Sequence, residues 1–446
     1  MNKRILGLTL PNIITNITVP LLGIVDMAIV GHLSAKHIAG ITIGTSIFNL
    51  IYWNFGFLRM GTSGFTAQAY GARRLDEAVR VFVRSLAVAW TIAATLIILQ
   101  WPISLLSKVI FSGTDEVMRY AMTYFFVRIW AAPATLGLYA IKGWFIGMQN
   151  SKLPMWIAIF INVVNIVCSL IFVLVLKWDI AGVALGTVIA QYSGLVVGLF
   201  FARKYYGRIF HRHIDIKGSL KLREMKLFFK VNGDIFLRTI CLAAVFTFVT
   251  AASGRINDEI LAIDALLLQF FHLFSYIMDG FAYAGESLVG RYIGARDGRN
   301  LRICVRYLLL WGLAMTALFS LLYFIWGKEF LSIFSNDASI IEGAMDYMLW
   351  VMVIPLCGFS AFLFDGIFIG ATASRTMRNC MFIASMSFFL VFYGGKQIFL
   401  GSFNAPLGNA PFVANNILWA SFMAYVSLRG VLQALYLKKS VYSQVN

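Results

Sequence analysis

Long apolar runs broken by short polar stretches divide the chain into segments of the length a bilayer requires. The pattern predicts twelve helices, over roughly 5–30, 39–69, 79–103, 119–147, 153–176, 180–202, 227–251, 260–293, 303–326, 343–370, 377–400 and 411–437. The class expected is an all-α polytopic membrane protein. The first apolar run has no clear small-residue cleavage site, so it is expected to be retained.

The pattern repeats. Gly71-Ala72-Arg73 returns as Gly294-Ala295-Arg296, 223 residues later, which is half of 446. At the same offset Phe111-Ser112 matches Phe334-Ser335, and Ala121-Met122 with Tyr124 matches Ala344-Met345 with Tyr347. Gly143-Trp144-Phe145-Ile146-Gly147 matches Gly366-Ile367-Phe368-Ile369-Gly370. The expected organisation is an N-terminal lobe over 1–202, a basic cytoplasmic linker over 203–226, and a C-terminal lobe over 227–446. Six helices per half is an even number, so the lobes share one orientation, with a pseudo-symmetry axis along the membrane normal and the substrate path between them.

Composition agrees with the pattern. Hydrophobic residues make up 60% of the chain and charged residues 13%, against about 25% charged in soluble domains. Mean hydropathy is +0.79. The net charge of +17 does not indicate nucleic acid, because the basic residues sit in short loops rather than on one polar face. With the N-terminus inside, 25 of the 37 Lys and Arg residues fall on inner segments, six on outer segments and six within helices. That bias places both termini in the cytoplasm of a cell whose inner (plasma) membrane the chain spans. The five cysteines lie in or beside apolar runs without CxxC spacing and are expected to be structural.

Ionisable groups inside the spans are the candidate chemistry, since each costs at least ~2.5 kcal/mol to insert. Asp26 lies in the first helix. Asn12, Thr15 and Asp26 fall within ~40° on the helical wheel, giving a polar stripe. Pro11 and Pro20 each remove a backbone donor, so this helix is expected to bend. A low-dielectric surrounding disfavours a charged carboxylate, which lets it take and release a proton near neutral pH. Asn162, Asn165 and Ser169 share one face of the fifth helix and belong either to that ion site or to helix-to-helix hydrogen bonding. In the second half, Asp264, Asp279 and Glu286 project from one side of the eighth helix, and Asp365 lies on the tenth. These four are the candidate acidic site of the C-terminal half; Asp279 and Glu286 either form a second proton site or attract cationic substrate, or they pair with Arg238, Lys396 or Arg59. Asp365 occupies the position that Lys142 holds in the first half. No Gly-x-Ser-x-Gly elbow, His-Glu-x-x-His or paired Asp-rich motif is present, and the five histidines form no ligand set. Neither an enzyme nor a bound metal or cofactor is expected.

These residues carry a resemblance. The segments Val25-Asp26-Met27-Ala28-Ile29-Val30-Gly31-His32-Leu33, Ala67-Gln68-Ala69-Tyr70-Gly71-Ala72, Gly143-Trp144-Phe145-Ile146-Gly147-Met148-Gln149 and Asp279-Gly280-Phe281-Ala282-Tyr283-Ala284 with Glu286, in this order, resemble the multidrug and toxic compound extrusion (MATE) transporters, of the branch named after DNA-damage-inducible protein F (DinF). The resemblance implies two six-helix lobes and export of cationic or amphiphilic organic compounds in exchange for protons or sodium, by a monomer whose other partners are lipids. It matches Asp26 to the family's cation-binding Asp, Pro11 to the proline where the helix bends, and Asn165 to an Asn of the cation site. The Asp found four residues later in several relatives is here Ser169, which leaves one carboxylate and favours a proton over Na⁺. A lipid-linked-sugar flippase of the same superfamily is the competing expectation.

Overall fold

The computed structural model describes the backbone of residues 1–31 and 34–445, and their side chains apart from those of 19–22, 24–31, 35 and 217. Among the described residues the regular structure is helical throughout. In chain order the helices are α1 (Asn2–Gly31), α2 (Ala35–Asn54), α3 (Phe57–Gly71), α4 (Leu75–Ile98), α5 (Gln100–Ile110), α6 (Asp115–Arg128), α7 (Ala132–Gly147), α8 (Lys152–Leu170), α9 (Asp179–His213), α10 (Ile216–Ser219), α11 (Leu222–Ile256), α12 (Asp258–Gly294), α13 (Gly298–Phe334), α14 (Ala338–Met345), α15 (Met348–Gly370), α16 (Ser374–Leu400) and α17 (Pro411–Ser440). Eleven segments among the described residues are long and apolar enough to cross a membrane, with α2–α3 and α6–α7 each counting once. The 30-residue α1 makes the twelfth. Val109, Phe324, Leu390 and Ile398 are more than 70% exposed, which in water would be costly and in lipid is the expected outer surface.

The chain forms two compact units, Gly7–Asn232 and Gly233–Asn446 together with Met1–Leu6. The N-terminal unit is centred on aromatic and aliphatic packing: Phe48, Tyr124 and Phe125 among α2 and α6, and Phe82, Trp144 and Phe210 among α4, α7 and α9. The C-terminal unit packs Phe270, Phe271, Phe274, Tyr323 and Phe422 around α12.

The duplication extends to backbone detail. Arg73 and Arg296 both have positive φ, at 58° and 53°, as do Gln149 and Thr372, at 64° and 50°. Each closes a helix in the same way. The amide of Arg74 reaches back to the Ala69 carbonyl as that of Asp297 reaches Tyr292, and the amide of Asn150 reaches Phe145 as that of Ala373 reaches Phe368. Such left-handed C-terminal caps satisfy carbonyls that the helix leaves free. Glycine contacts repeat as well. A Cβ on Gly143 would lie 3.1 Å from backbone atoms of Arg59, and one on Gly366 would lie 2.7 Å from those of Ala282. Gly147 is pressed on Ser63, and Gly370 on Glu286. Small residues four apart let α7 and α15 approach α3 and α12 backbone to backbone.

The expected linker is corrected. Most of 203–226 is helix, because α9 runs on to His213 and α11 begins at Leu222. Charged residues mark where the bilayer ends, but they continue a helix without penalty. The short α10 turn between these helices is pinned by Arg84. This residue is 2% exposed, donates from Nε to the Ser219 carbonyl at 3.1 Å, and faces Glu77 and Glu224 at 3.5 and 3.7 Å.

Candidate functional site

The polar residues of α1 bond to its own carbonyls and to the residue just before α8. Asn12 donates to the Leu8 carbonyl and to Ser151 Oγ, both at 2.9 Å. Thr15 Oγ1 donates to the carbonyl of Pro11 at 2.9 Å, and Thr18 Oγ1 to that of Thr15 at 2.7 Å. Pro11 has no amide proton to give the carbonyl one turn before it. Side-chain donors on the Leu8, Pro11 and Thr15 carbonyls compete with the helix's own bonds there. Asp26 and Pro20 have side chains outside the described residues.

On α8, Asn162 donates to the Thr18 carbonyl at 2.9 Å, which ties α8 to the polar stretch of α1. One turn on, Asn165 donates to Thr187 Oγ1 of α9 at 3.0 Å. Asn165 Oδ1 and Ser169 Oγ are buried and have no hydrogen-bond partner among the described residues. Two steps past Ser169 the helix widens into an i→i+5 turn over Ile171–Val175, where Gly182 of α9 lies against Phe172. Such turns break the regular ladder and recur at functional sites. Asn162, Asn165 and Ser169 thus follow one another along α8, tied to α1 through Asn162 and to α9 through Asn165, while Thr15 lies on α1 three residues before the carbonyl that Asn162 reaches.

The C-terminal acids do not form one site. Asp264 and Glu286 are 22 residues apart on α12, about 33 Å along its axis. Asp365, placed by the sequence in the candidate acidic site, is the centre of a buried ionic cluster. It pairs with Arg238 of α11 and Arg429 of α17, and accepts from Gln433 Nε2 at 2.8 Å. Asp279 also acts electrostatically on Arg429. Arg238, which the sequence offered as a partner for Asp279 or Glu286, thus pairs with Asp365. Glu286 is 1% exposed, its backbone covered by Gly370. Asp264, 2% exposed, has neutral neighbours instead. It accepts from Ser253 Oγ, from Asn415 Nδ2 at 3.0 Å and from Trp419 Nε1 at 2.7 Å.

Sequence reasoning missed Thr187, Asn415, Trp419 and Gln433 as partners, and missed Asp234 altogether. Asp234 accepts from Ser374 Oγ at 2.9 Å and from Arg378 Nη1 at 2.5 Å. The polar residues Asn415, Asn416, Arg429 and Gln433 inside the last apolar run were the available signal. Among the described residues no three His, Cys, Asp or Glu side chains converge as a metal would require.

The chain is 33% identical over 435 residues to DNA damage-inducible protein F of Escherichia coli (strain K12), covering 96% of this chain and 90% of that one. It is 23% identical over 370 residues to a probable multidrug resistance protein NorM of Photorhabdus laumondii, covering 81% and 79%. A crystal structure of MATE in the bent conformation superposes with a TM-score of 0.85 at 17% identity, over 99% of this chain and 96% of that one. The MatE family model matches residues 11–171 and 235–393, one stretch in each half of the duplicated sequence. With its family model matched in both halves and its length shared with the Escherichia coli relative, the chain is a multi-pass membrane protein of the MatE family.

Proposed function

We propose that this protein is a secondary active efflux antiporter that exports cationic or amphiphilic organic compounds from the cell across the inner (plasma) membrane in exchange for protons. Both termini are then cytoplasmic, as the charge bias requires. Multidrug resistance in the name of the NorM relative supports the exporter over the flippase.

One observation carries the coupling assignment. Asn165 Oδ1 and Ser169 Oγ are buried on α8 without a partner among the described residues, and α8 is bonded to α1, whose ladder lacks the Pro11 amide. Leaving a buried polar atom unbonded costs about 1–3 kcal/mol. A site that keeps two such atoms is suited to a charge or proton that arrives and leaves. Asp26 is the carboxylate assigned to carry it. With Ser169 in place of a second acid the set is one carboxylate, amides and hydroxyls. That suits a proton better than Na⁺, which needs several oxygen ligands. Protonating Asp26 cancels its charge, the polar bonds of α1 rearrange, and the helix bends. Export follows if proton and substrate favour different bends of α1.

The test is dye efflux from vesicles holding the purified protein, with pH and sodium gradients imposed separately. The pH gradient should drive efflux, the sodium gradient alone should not, and Asp26→Asn should abolish the pH-driven part. Full pH-driven efflux by Asp26→Asn would overturn the role of Asp26, and efflux driven by sodium alone would overturn proton coupling.

A further inference from the structure

The C-terminal unit holds a buried carboxylate that the coupling site above does not use. Asp264 is 2% exposed on α12, and no Lys or Arg neutralises it among the described residues; its partners are three neutral donors. Its neighbour Ser253 is informative, because a serine hydroxyl has one proton to give. Ser253 Oγ lies in bonding reach of two acceptors, the Val249 carbonyl at 3.0 Å and Asp264 Oδ2. Both contacts are hydrogen bonds at once only when Asp264 Oδ2 itself carries a proton and donates it to Ser253. When Asp264 is ionised, Ser253 must turn to it and leave the Val249 carbonyl. Oδ1 meanwhile keeps the same two donors, Asn415 and Trp419, in either state.

A cavity of about 200 Å³ adjoins this carboxylate, with Thr250, Ser253, Gln269 and His272 supplying its polar wall. At about 30 Å³ per molecule it has room for several waters, and the wall offers the polar partners they need. His272 lies eight residues beyond Asp264 on the same helix, about 12 Å along it. Its ring stacks near Phe246 and Tyr276. The surroundings are otherwise quiet. Thr250 and Ser253 of α11 and Asn415 and Trp419 of α17 are neutral. Tyr347, just before α15, feels Asp264 together with Glu259 of α12 and Asp346 beside α14.

We propose that Asp264 is a second proton-binding site, loaded through water in this cavity with His272 as its proton-exchange partner. The inference rests on the proton-coupled reading above and adds to it a separate station in the C-terminal unit. A proton moves from imidazolium or cavity water to Asp264 Oδ2, Ser253 turns from the carboxylate to the Val249 carbonyl, and no bond other than those to hydrogen changes. With the termini inside, α12 begins at the outer face, so the site is reached from outside.

The test is infrared difference spectroscopy of the full chain in lipid, low pH minus high pH, without substrate or gradient. The expected result is a carboxylic-acid carbonyl band that Asp264→Asn removes. Trp419→Phe should keep this band but move it, because the bond to Oδ1 is lost, and Ser253→Ala should move it through Oδ2. His272→Gln should keep the band and slow its rise after a pH jump at least about tenfold. A band unchanged by Asp264→Asn overturns the proposal. Should that variant not fold, a band unmoved by both Trp419→Phe and Ser253→Ala overturns it. An unchanged rise in His272→Gln overturns the relay. Because the spectra involve no transport, failure of pH-driven efflux would refute the exporter reading without touching this result.

Discussion

Gly366→Ala tests whether the duplicated glycine contacts set the helix spacing. A Cβ at Gly366 meets the Ala282 carbonyl oxygen first and stands 2.7 Å from both the carbonyl carbon and Cα of that residue. All three atoms are backbone, so no side chain can turn away. Ordinary contact begins near 3.4 Å, so α15 must move from α12 by about 1 Å, and overpacking of this kind costs about 1–3 kcal/mol. The substitution also gains about 1 kcal/mol of helix propensity. However, the shift pulls neighbouring Asp365 against its arginines, so a net loss of about 2 kcal/mol is expected. For a unit of this size that lowers the unfolding midpoint by roughly 4–8 °C. Gly285→Ala is the matched control on the facing helix. There the new methyl meets a movable Leu308 side chain at 3.4 Å and the Gly366 backbone at 3.7 Å, so the propensity gain should leave it neutral or slightly stabilised. Gly143→Ala, pressed on Arg59 in the other unit, should behave like Gly366→Ala. The assay is loss of the monodisperse size-exclusion peak with temperature in detergent. Gly366→Ala and Gly143→Ala melting with the wild type, or Gly285→Ala falling as far as they do, would refute the reasoning.

Asp365→Asn leaves Arg238 and Arg429 facing each other without their shared anion, and should cost about 3–5 kcal/mol in the same assay. Adding Arg429→Gln should recover part of this loss. Arg84→Ala removes the side chain that holds the α10 turn, and trypsin should cut after Lys221 or Arg223 about tenfold faster, matching a lost bond of ~1.4 kcal/mol. Asp297 caps α13 by accepting from the side-chain and backbone nitrogens of Asn300 at 2.7 and 3.0 Å, and its carboxyl is held below its usual range first by the side-chain bond and then by the backbone one. A depressed folded value means that this cap contributes fully above about pH 4 and fades as the pH falls through that value. Asp297→Ala should lower stability by about 1 kcal/mol at pH 7 and by less in acid, read as converging wild-type and mutant midpoints.

What was legible in the sequence follows from what hydropathy measures. It locates stretches that prefer lipid, so the twelve runs and their duplication were plain. The pairing of Gly143 and Gly147 with Gly366 and Gly370 was visible as a match before its cause, close backbone approach, was known. Hydropathy does not measure where helices end. Arg203 and Lys204 closed an apolar run, yet α9 continues nine residues past Lys204. The break at Phe55–Gly56 splits an apolar run that read as one helix. Partners were least legible, because Ser253, Asn415 and Trp419 reach Asp264 from two other helices, and nothing along the chain records that convergence.

The same offset that pairs Gly143 with Gly366 pairs Thr15 with Arg238, Ile41 with Asp264 and Lys142 with Asp365. The two halves therefore share a scaffold and differ in their polar chemistry. In the C-terminal unit, Arg238 and Asp365 form a paired ionic cluster, and opening it would strand charges in a low-dielectric interior at several kcal/mol each. Such a cluster holds helices in register; it does not cycle. In the N-terminal unit the position matching Arg238 is the Thr15 hydroxyl, and the neighbouring α8 keeps a buried amide oxygen and a second hydroxyl without partners among the described residues. Taking up a proton or charge there relieves a deficit instead of breaking a pair. Asp264 has the same quality in the other unit, since its neighbours are neutral donors, one of which can reverse. On energetic grounds the groups able to change protonation during a transport cycle are those without a permanent counter-ion, and the arginine-bound acids are the frame against which they move.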